Sequence, residues 1–218
     1  MKISLCALAL AALIGSAQAV TMNWTNSAPI TSTIKQVLTP NYWAGSVFAV
    51  TASFTASSLS SGMTLFKVGR ANEPGNDYES YNYAGVRIDN TALGVPALSF
   101  FGRGGSGSEK PVSTLQFVEA NKRTTVSLLV NRNEPKNTLE LFVNGQSVGT
   151  LTLSEKMNTP NTTLWGYGSS DLTLDYLSIY GKSEGETLEA FTEATRKASI
   201  VPEPTALALL ALGVAGLA

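Results

Sequence analysis

Leu139-Glu140-Leu141-Phe142-Val143-Asn144-Gly145-Gln146-Ser147-Val148-Gly149-Thr150-Leu151-Thr152-Leu153 decides the fold class of this 218-residue chain. Ahead of the Asn-Gly pair, Leu139, Leu141 and Val143 alternate with Glu140 and Phe142, the period-two pattern of a half-buried strand. Asn144 and Gly145 both tolerate positive φ, as a two-residue type I′ hairpin requires. A second strand then runs from Gln146 to Leu153. Its apolar side chains fall at Val148, Leu151 and Leu153, one residue out of step, and Gly149 marks the β-bulge expected to absorb the slip.

The alternation repeats on both sides of this hairpin. Phe48, Val50, Ala52 and Phe54 share one face of a strand. Met63, Leu65 and Lys67 alternate with Thr64, Phe66 and Val68. Ala84, Val86 and Ile88 face away from Arg87 and Asp89, and Val126, Leu128 and Val130 face away from Thr125 and Ser127. Further runs at Val112–Val118 and Leu172–Tyr180 bring the expectation to at least eight strands, which favours a two-sheet sandwich or jelly roll over a barrel. One helix is expected late in the chain. Leu188, Phe191, Ala194 and Thr195 recur at helical spacing, with Glu186 and Glu189 early and Arg196 and Lys197 late, matching the helix dipole. It is expected to cap a sheet edge or to form a stalk.

Composition narrows the chemistry. Charged residues are 14% of the chain, against about 25% in an average domain. Fifteen basic and 16 acidic residues give a net charge of −1, which disfavours a nucleic-acid domain built on a basic footprint. Histidine is absent, which removes imidazole zinc sites and histidine triads.

The two ends read as addresses rather than fold. Met1 and Lys2 precede the apolar stretch from Ile3 to Ile14, and Ala17-Gln18-Ala19 follows. A positive start, an apolar stretch and a small-x-small site form a secretory signal peptide over residues 1–19, cleaved after Ala19. Its removal takes Cys6, the single cysteine, so the exported chain has no disulfide. At the other end, Val201-Pro202-Glu203-Pro204 introduces the uncharged run from Thr205 to Ala218. A helix over that run covers about 21 Å, short of the ~30 Å hydrocarbon thickness.

Val201, Pro202, Glu203 and Pro204, followed by the Ala/Leu/Gly run, resemble the bacterial PEP-CTERM sorting signal over residues 200–218. Family members finish with an arginine-rich tail. Here the run ends at Ala218 without one, which implies a truncated signal. The resemblance implies export to the envelope or extracellular matrix of a Gram-negative bacterium. It also implies transient inner-membrane contact through the C-terminal segment and recognition by an exosortase.

The span between, residues 20–199, reads as one domain and resembles the concanavalin A-like, laminin-G-like superfamily. Ser46 to Phe54 with Thr55 is similar to its early strand. Leu139 to Gln146 is similar to its hairpin, and Leu174-Asp175-Tyr176-Leu177-Ser178-Ile179-Tyr180 to its closing strand. The fold so implied is all-β, a two-sheet concanavalin A-like jelly-roll sandwich with a short C-terminal helix.

Two candidate sites overlap in one Gly/Pro-containing segment. Tyr78, Tyr81 and Tyr83, beside Asn76, Asp77 and Asn82, form a carbohydrate-binding set: tyrosine rings lie against sugar faces while amides and carboxylates meet hydroxyls. The opposing reading packs the alternate tyrosines on one sheet face. Asn72, Asn76, Asp77, Glu79, Asp89 and Asn90, with Glu73 nearby, supply the oxygen ligands that calcium takes, and superfamily members bind calcium at such a rim. A solvated loop has the same composition. Otherwise no cofactor is called for.

Trp43, Trp165 and Tyr167 read as core or sheet-cover residues. Gly102 to Ser108 lacks the lysine and following helix of a phosphate loop and reads as a rim loop. Catalytic residues are not identified. The paired acidic motifs of glycosidases on this fold are absent: Glu140 stands alone, and Asp175 reads as a hydrogen-bond acceptor pinning the last strand. The leading expectation is therefore an exported, non-enzymatic surface or matrix protein that binds or organises extracellular polysaccharide. A glycan hydrolase or lyase with a degenerate motif, and a purely structural protein-interaction module, are the alternatives.

Overall fold

The computed structural model describes residues 23–38, 47–70, 82–105, 108–133, 137–155, 157 and 162–200. Residues 1–19, where a signal peptide is expected, residues 201–218 of the expected sorting signal, Trp43 and residues 71–81 lie outside these. Among the described residues twelve strands form: β1 (Asn23–Asn26), β2 (Thr33–Leu38), β3 (Val47–Ala56), β4 (Met63–Arg70), β5 (Tyr83–Asn90), β6 (Pro96–Arg103), β7 (Lys110–Phe117), β8 (Thr124–Asn131), β9 (Thr138–Val143), β10 (Gln146–Thr152), β11 (Thr162–Tyr167) and β12 (Leu172–Gly181). A helix, α1 (Leu188–Ala198), follows.

The strands divide into two six-stranded sheets, ordered β1-β12-β3-β8-β9-β10 and β2-β11-β4-β5-β6-β7. Every pairing is antiparallel. The all-β, concanavalin A-like sandwich is thus present, with one short helix among the described residues. Its core comes from the alternate residues read in the sequence: Val50, Phe54, Val86, Ile88, Leu128 and Leu141 are all buried in one cluster between the sheets.

Asn144 and Gly145 adopt φ of 49° and 80°, as the hairpin reading requires. The register slips between Ser147 and Gly149, so the bulge falls where the misplaced apolar residues located it. A second slip corrects the sequence reading. Strict alternation assigned Leu65 and Phe66 to opposite faces of β4, yet a register shift between Thr64 and Phe66 lets both enter the core. Burying two adjacent large side chains outweighs the regular ladder at that point.

The helix lies neither at an edge nor as a stalk. It packs across the outer face of the first sheet, where Phe191 joins Val47, Ala49, Leu129 and Phe142 in a separate cluster. Ala194 and Leu188, expected on its apolar stripe, are exposed, and Phe191 and Thr195 are the buried positions. Thr187 caps the N-terminus by accepting from the Ala190 N–H at 3.1 Å. The C-terminus is pinned to the Asn-Gly turn: the Gly145 N–H donates to Ser199 Oγ at 2.9 Å, and Arg196 donates to the Gly145 carbonyl at 3.0 Å. Tyr180 stands edge-on to Phe191 at 5.7 Å, and burial pushes its phenol pKa up.

Hydrogen bonds from Arg196 pull the Glu193 carboxyl down to about 2. A depressed carboxylate pKa stabilises the fold above the unfolded value and loses that contribution as pH falls toward the folded value. Unfolding the helix therefore becomes easier from about pH 4.5 down to about 2. A carboxyl-carbon NMR titration of Glu193 checks this. A midpoint near 4.5 would show that the pair does not persist in solution.

Candidate functional site

Among the described residues no helix lies on the outer face of the second sheet. Register places Lys35, Trp165, Lys67, Gly85, Phe101 and Pro111 in one row across all six strands. Their chain neighbours Ile34, Leu164, Phe66, Val68, Ala84 and Phe100 face the core, so period two turns the row outward.

The middle of this face is cross-braced. Gly85 lets the Phe101 ring lie across β5, with Cζ 2.7 Å from where a Cβ would stand. Tyr83 meets Phe101 edge-on at 6.0 Å, Lys67 Nζ sits 3.9 Å from the Tyr83 ring centroid, and the Arg87 guanidinium lies 4.8 Å from that of Phe101. Arg87 donates to Asp89 Oδ2 at 2.6 Å and to Glu109 Oε1 at 2.8 Å, while Tyr83 Oη donates to Glu109 Oε2 at 2.9 Å. Burial works against the Arg87 charge, but the two carboxylates outweigh it and raise its pKa. The β2–β11 end of the row differs from this braced centre. Lys35 is exposed, and Trp165 and, two residues on, Tyr167 are half-buried. Two hydroxyls on the same face, Ser99 Oγ and Thr163 Oγ1, are buried without a hydrogen-bond partner.

The residues singled out from sequence fall in different places. Asn72, Asn76, Asp77, Tyr78, Glu79 and Tyr81 lie outside the described residues. Tyr83 does not present its ring: it is 4% exposed, held under Lys67 and against Phe101. Asn82 is buried, and its Oδ1 accepts from the Gly105 N–H at 2.9 Å, tying the start of β5 to the β6–β7 connection.

Asp89 and Asn90 do not share a rim with the two ends of segment 71–81. β4 and β5 are antiparallel, with Gly69 opposite Tyr83 and Met63 opposite Ile88. Asp89 therefore lies six residues, about 20 Å of strand, from Tyr83. There Asp89 Oδ1 accepts from the Gly62 N–H at 3.1 Å, bracing the β3–β4 turn. Among the described residues, no three metal-ligating side chains of the His, Cys, Asp or Glu type come together. Asp175 does pin the last strand, through Thr55 Oγ1 at 3.1 Å on β3. Glu140 accepts from Ser147 Oγ at 2.6 Å.

Trp165 and Tyr167, read in the sequence as core or sheet-cover residues, lie half-buried on the outer side of β11, where Thr163, Trp165 and Tyr167 alternate with Leu164 and Gly166. What the alternation lacked was the identity of the strands on either side.

A two-sheet jelly roll is the class of domain these features define. Its likeness to solved structures is one of fold. The IT-sialidase CBM40 of Ruminococcus gnavus superposes with a TM-score of 0.51 at 15% identity, covering 81% of this chain and 98% of that one. The same module bound to α2,3-sialyllactose gives 0.50 at 14% identity, over 75% of this chain and 92% of that one. The leech intramolecular trans-sialidase complexed with 2,7-anhydro-Neu5Ac gives 0.50 at 15% identity, over 85% of this chain but 28% of the enzyme. No family model matches the sequence, and no curated protein matches it.

Proposed function

We propose that this chain is a non-catalytic glycan-binding module of an exported envelope or matrix protein. The observation that carries the reading is the half-buried Trp165 on the outer face of the second sheet, with Tyr167 two residues on along the same strand. An aromatic ring set in a rigid sheet offers an apolar platform to the C–H face of a sugar at little entropic cost. The shared fold with a module solved with sialyllactose supports it. A hydrolase needs two carboxyl groups facing one bond. Asp89 and Glu109, which share this face, are both engaged by Arg87.

Export rests on the pattern of residues 1–19, and exosortase sorting on residues 201–204. A calcium requirement rests on Asn72, Asn76, Asp77 and Glu79 alone.

The test is a polysaccharide array probed with the full chain, with and without calcium. Binding to at least one glycan is expected, weakened about tenfold or more by Trp165→Ala. Binding to none, by a protein whose melting curve shows it folded, would remove the proposal. One observation favours the protein-interaction reading instead. Leu93, Leu115 and Phe117 are 90%, 81% and 59% exposed, the last two on the outward side of the edge strand β7. A folded protein that binds no glycan but self-associates through these residues would support that alternative.

A further inference from the structure

We infer that Asn144–Gly145 is a covalent modification site, an isoaspartate-forming pair that the end of helix α1 keeps latent. The inference stands apart from the glycan-binding reading. The chain contains one Asn-Gly pair. At such a pair the glycine nitrogen can attack the preceding carboxamide, because no side chain on the second residue stands in the way. Hydroxide takes the Gly145 N–H proton, and the nitrogen bonds to Asn144 Cγ. The Cγ–Nδ2 bond breaks, and the departing nitrogen takes a proton from water to leave as ammonia. Water then opens the succinimide ring. Attack at Cγ leaves aspartate. Attack at the backbone carbonyl leaves isoaspartate, whose main chain runs through Cβ and Cγ.

The two residues of the pair are placed oppositely. Asn144 is exposed, whereas Gly145 is buried with the C-terminal end of α1 lying over it. The Gly145 N–H donates to Ser199 Oγ at 2.9 Å. Ser199 is itself wholly buried, and its hydroxyl donates to the Arg196 carbonyl at 2.7 Å. The Ile200 side chain covers the glycine, with Cγ1 2.7 Å from where a Cβ would stand. Arg196 Nη1 donates to the Gly145 carbonyl at 3.0 Å, while its Nε and Nη2 are fixed on Glu193 at 2.7 Å and 2.6 Å. The proton that must leave first is thus held in a buried hydrogen bond, shielded from hydroxide. Reaction waits for α1 to lift from the turn, a local opening short of global unfolding. The product does not restore the old contacts. Isoaspartate adds a methylene to the main chain of a two-residue turn whose flanking Val143 and Gln146 are paired. It displaces the two Gly145 groups that hold the helix, so modification leaves the end of α1 unpinned.

The full chain held at mildly alkaline pH tests this. Isoaspartyl methyltransferase with a labelled methyl donor reports isoaspartate, and peptide mapping places it. Isoaspartate is expected at Asn144, forming at least about tenfold faster in the chain unfolded in guanidinium than in the folded chain. Ser199→Ala removes the acceptor and is expected to speed the folded reaction about two- to tenfold, the range that one hydrogen bond sets. Arg196→Met, which removes the contact to the Gly145 carbonyl, is expected to act in the same direction. Gly94→Ala, strained in the β5–β6 turn away from the helix, controls for general destabilisation and is expected to leave the rate unchanged. A thermal melt verifies that each variant folds. The isolated isoaspartyl form is expected to melt below the unmodified protein. Absence of isoaspartate at Asn144 in the unfolded chain would overturn the site. Equal rates in the folded and unfolded chain, or a Ser199→Ala rate no higher than that of Gly94→Ala, would overturn the guarding role of α1.

Discussion

Replacing Phe54 with alanine is expected to destabilise the domain by about 3–5 kcal/mol. Phe54 lies on β3, which is flanked by β12 and β8 in the first sheet. Its ring is completely buried among residues of both sheets. Truncation removes the transfer free energy of the ring and leaves a cavity that two hydrogen-bonded sheets cannot collapse to fill. A domain of this size has only about 5–15 kcal/mol in hand, so the variant approaches the threshold of folding. Urea denaturation followed by tryptophan fluorescence reads the effect as a lower midpoint at unchanged slope. A loss below about 1 kcal/mol would mean that the sheets do not close over this position.

Gly69→Ala is expected to cost about 1–3 kcal/mol, although it adds one methyl group. At Gly69, β4 and β5 approach more closely than a side chain allows. An added Cβ would collide with the Asn82 carbonyl oxygen and stand 2.7 Å and 2.8 Å from Tyr83 Cβ and Cα. These atoms belong to backbone or to the root of a side chain, so no rotamer change relieves the overlap. The strand pair must part, and Tyr83 moves with it, loosening its bond to Glu109 and its place under Lys67. Gly94→Ala separates the two ways a glycine can matter. There φ is +74° with open space around it, so only backbone strain of about 1 kcal/mol is expected. The near-ultraviolet circular dichroism of Tyr83 and Phe101 should change in Gly69→Ala and stay as it was in Gly94→Ala. The reverse pattern would show that the close approach at Gly69 is not what the sheet depends on.

Much of the architecture was written locally. Period two in β3, β5, β8 and β9 located the core residues, because a strand can bury only one face against a single partner layer. The Asn-Gly turn set the β9–β10 hairpin, since few residue pairs accept positive φ twice. Four strands went unread. β1 is only four residues long, and β2, β6 and β11 mix apolar with polar or glycine positions. The site was less legible. Tyr83 and Trp165 are both aromatic residues on outward-facing strand positions. Nothing near either in the chain says that Lys67 and Phe101 close over the first while the second stays half-open.

By itself the sequence determined a chain of alternating strands, a tight hairpin, a late amphipathic helix and the absence of histidine chemistry, each a property of composition or of residues a few positions apart. Only the tertiary structure decided that the helix covers the first sheet, that Asp89 and Asn90 stand at the far end of β5 from its junction with segment 71–81, and that Lys35, Trp165 and Lys67 share a row. Those three facts depend on strand order and register. Both are set by packing between segments as far apart in the chain as Asn23 and Tyr180, and the side-chain period of a single strand carries no record of them.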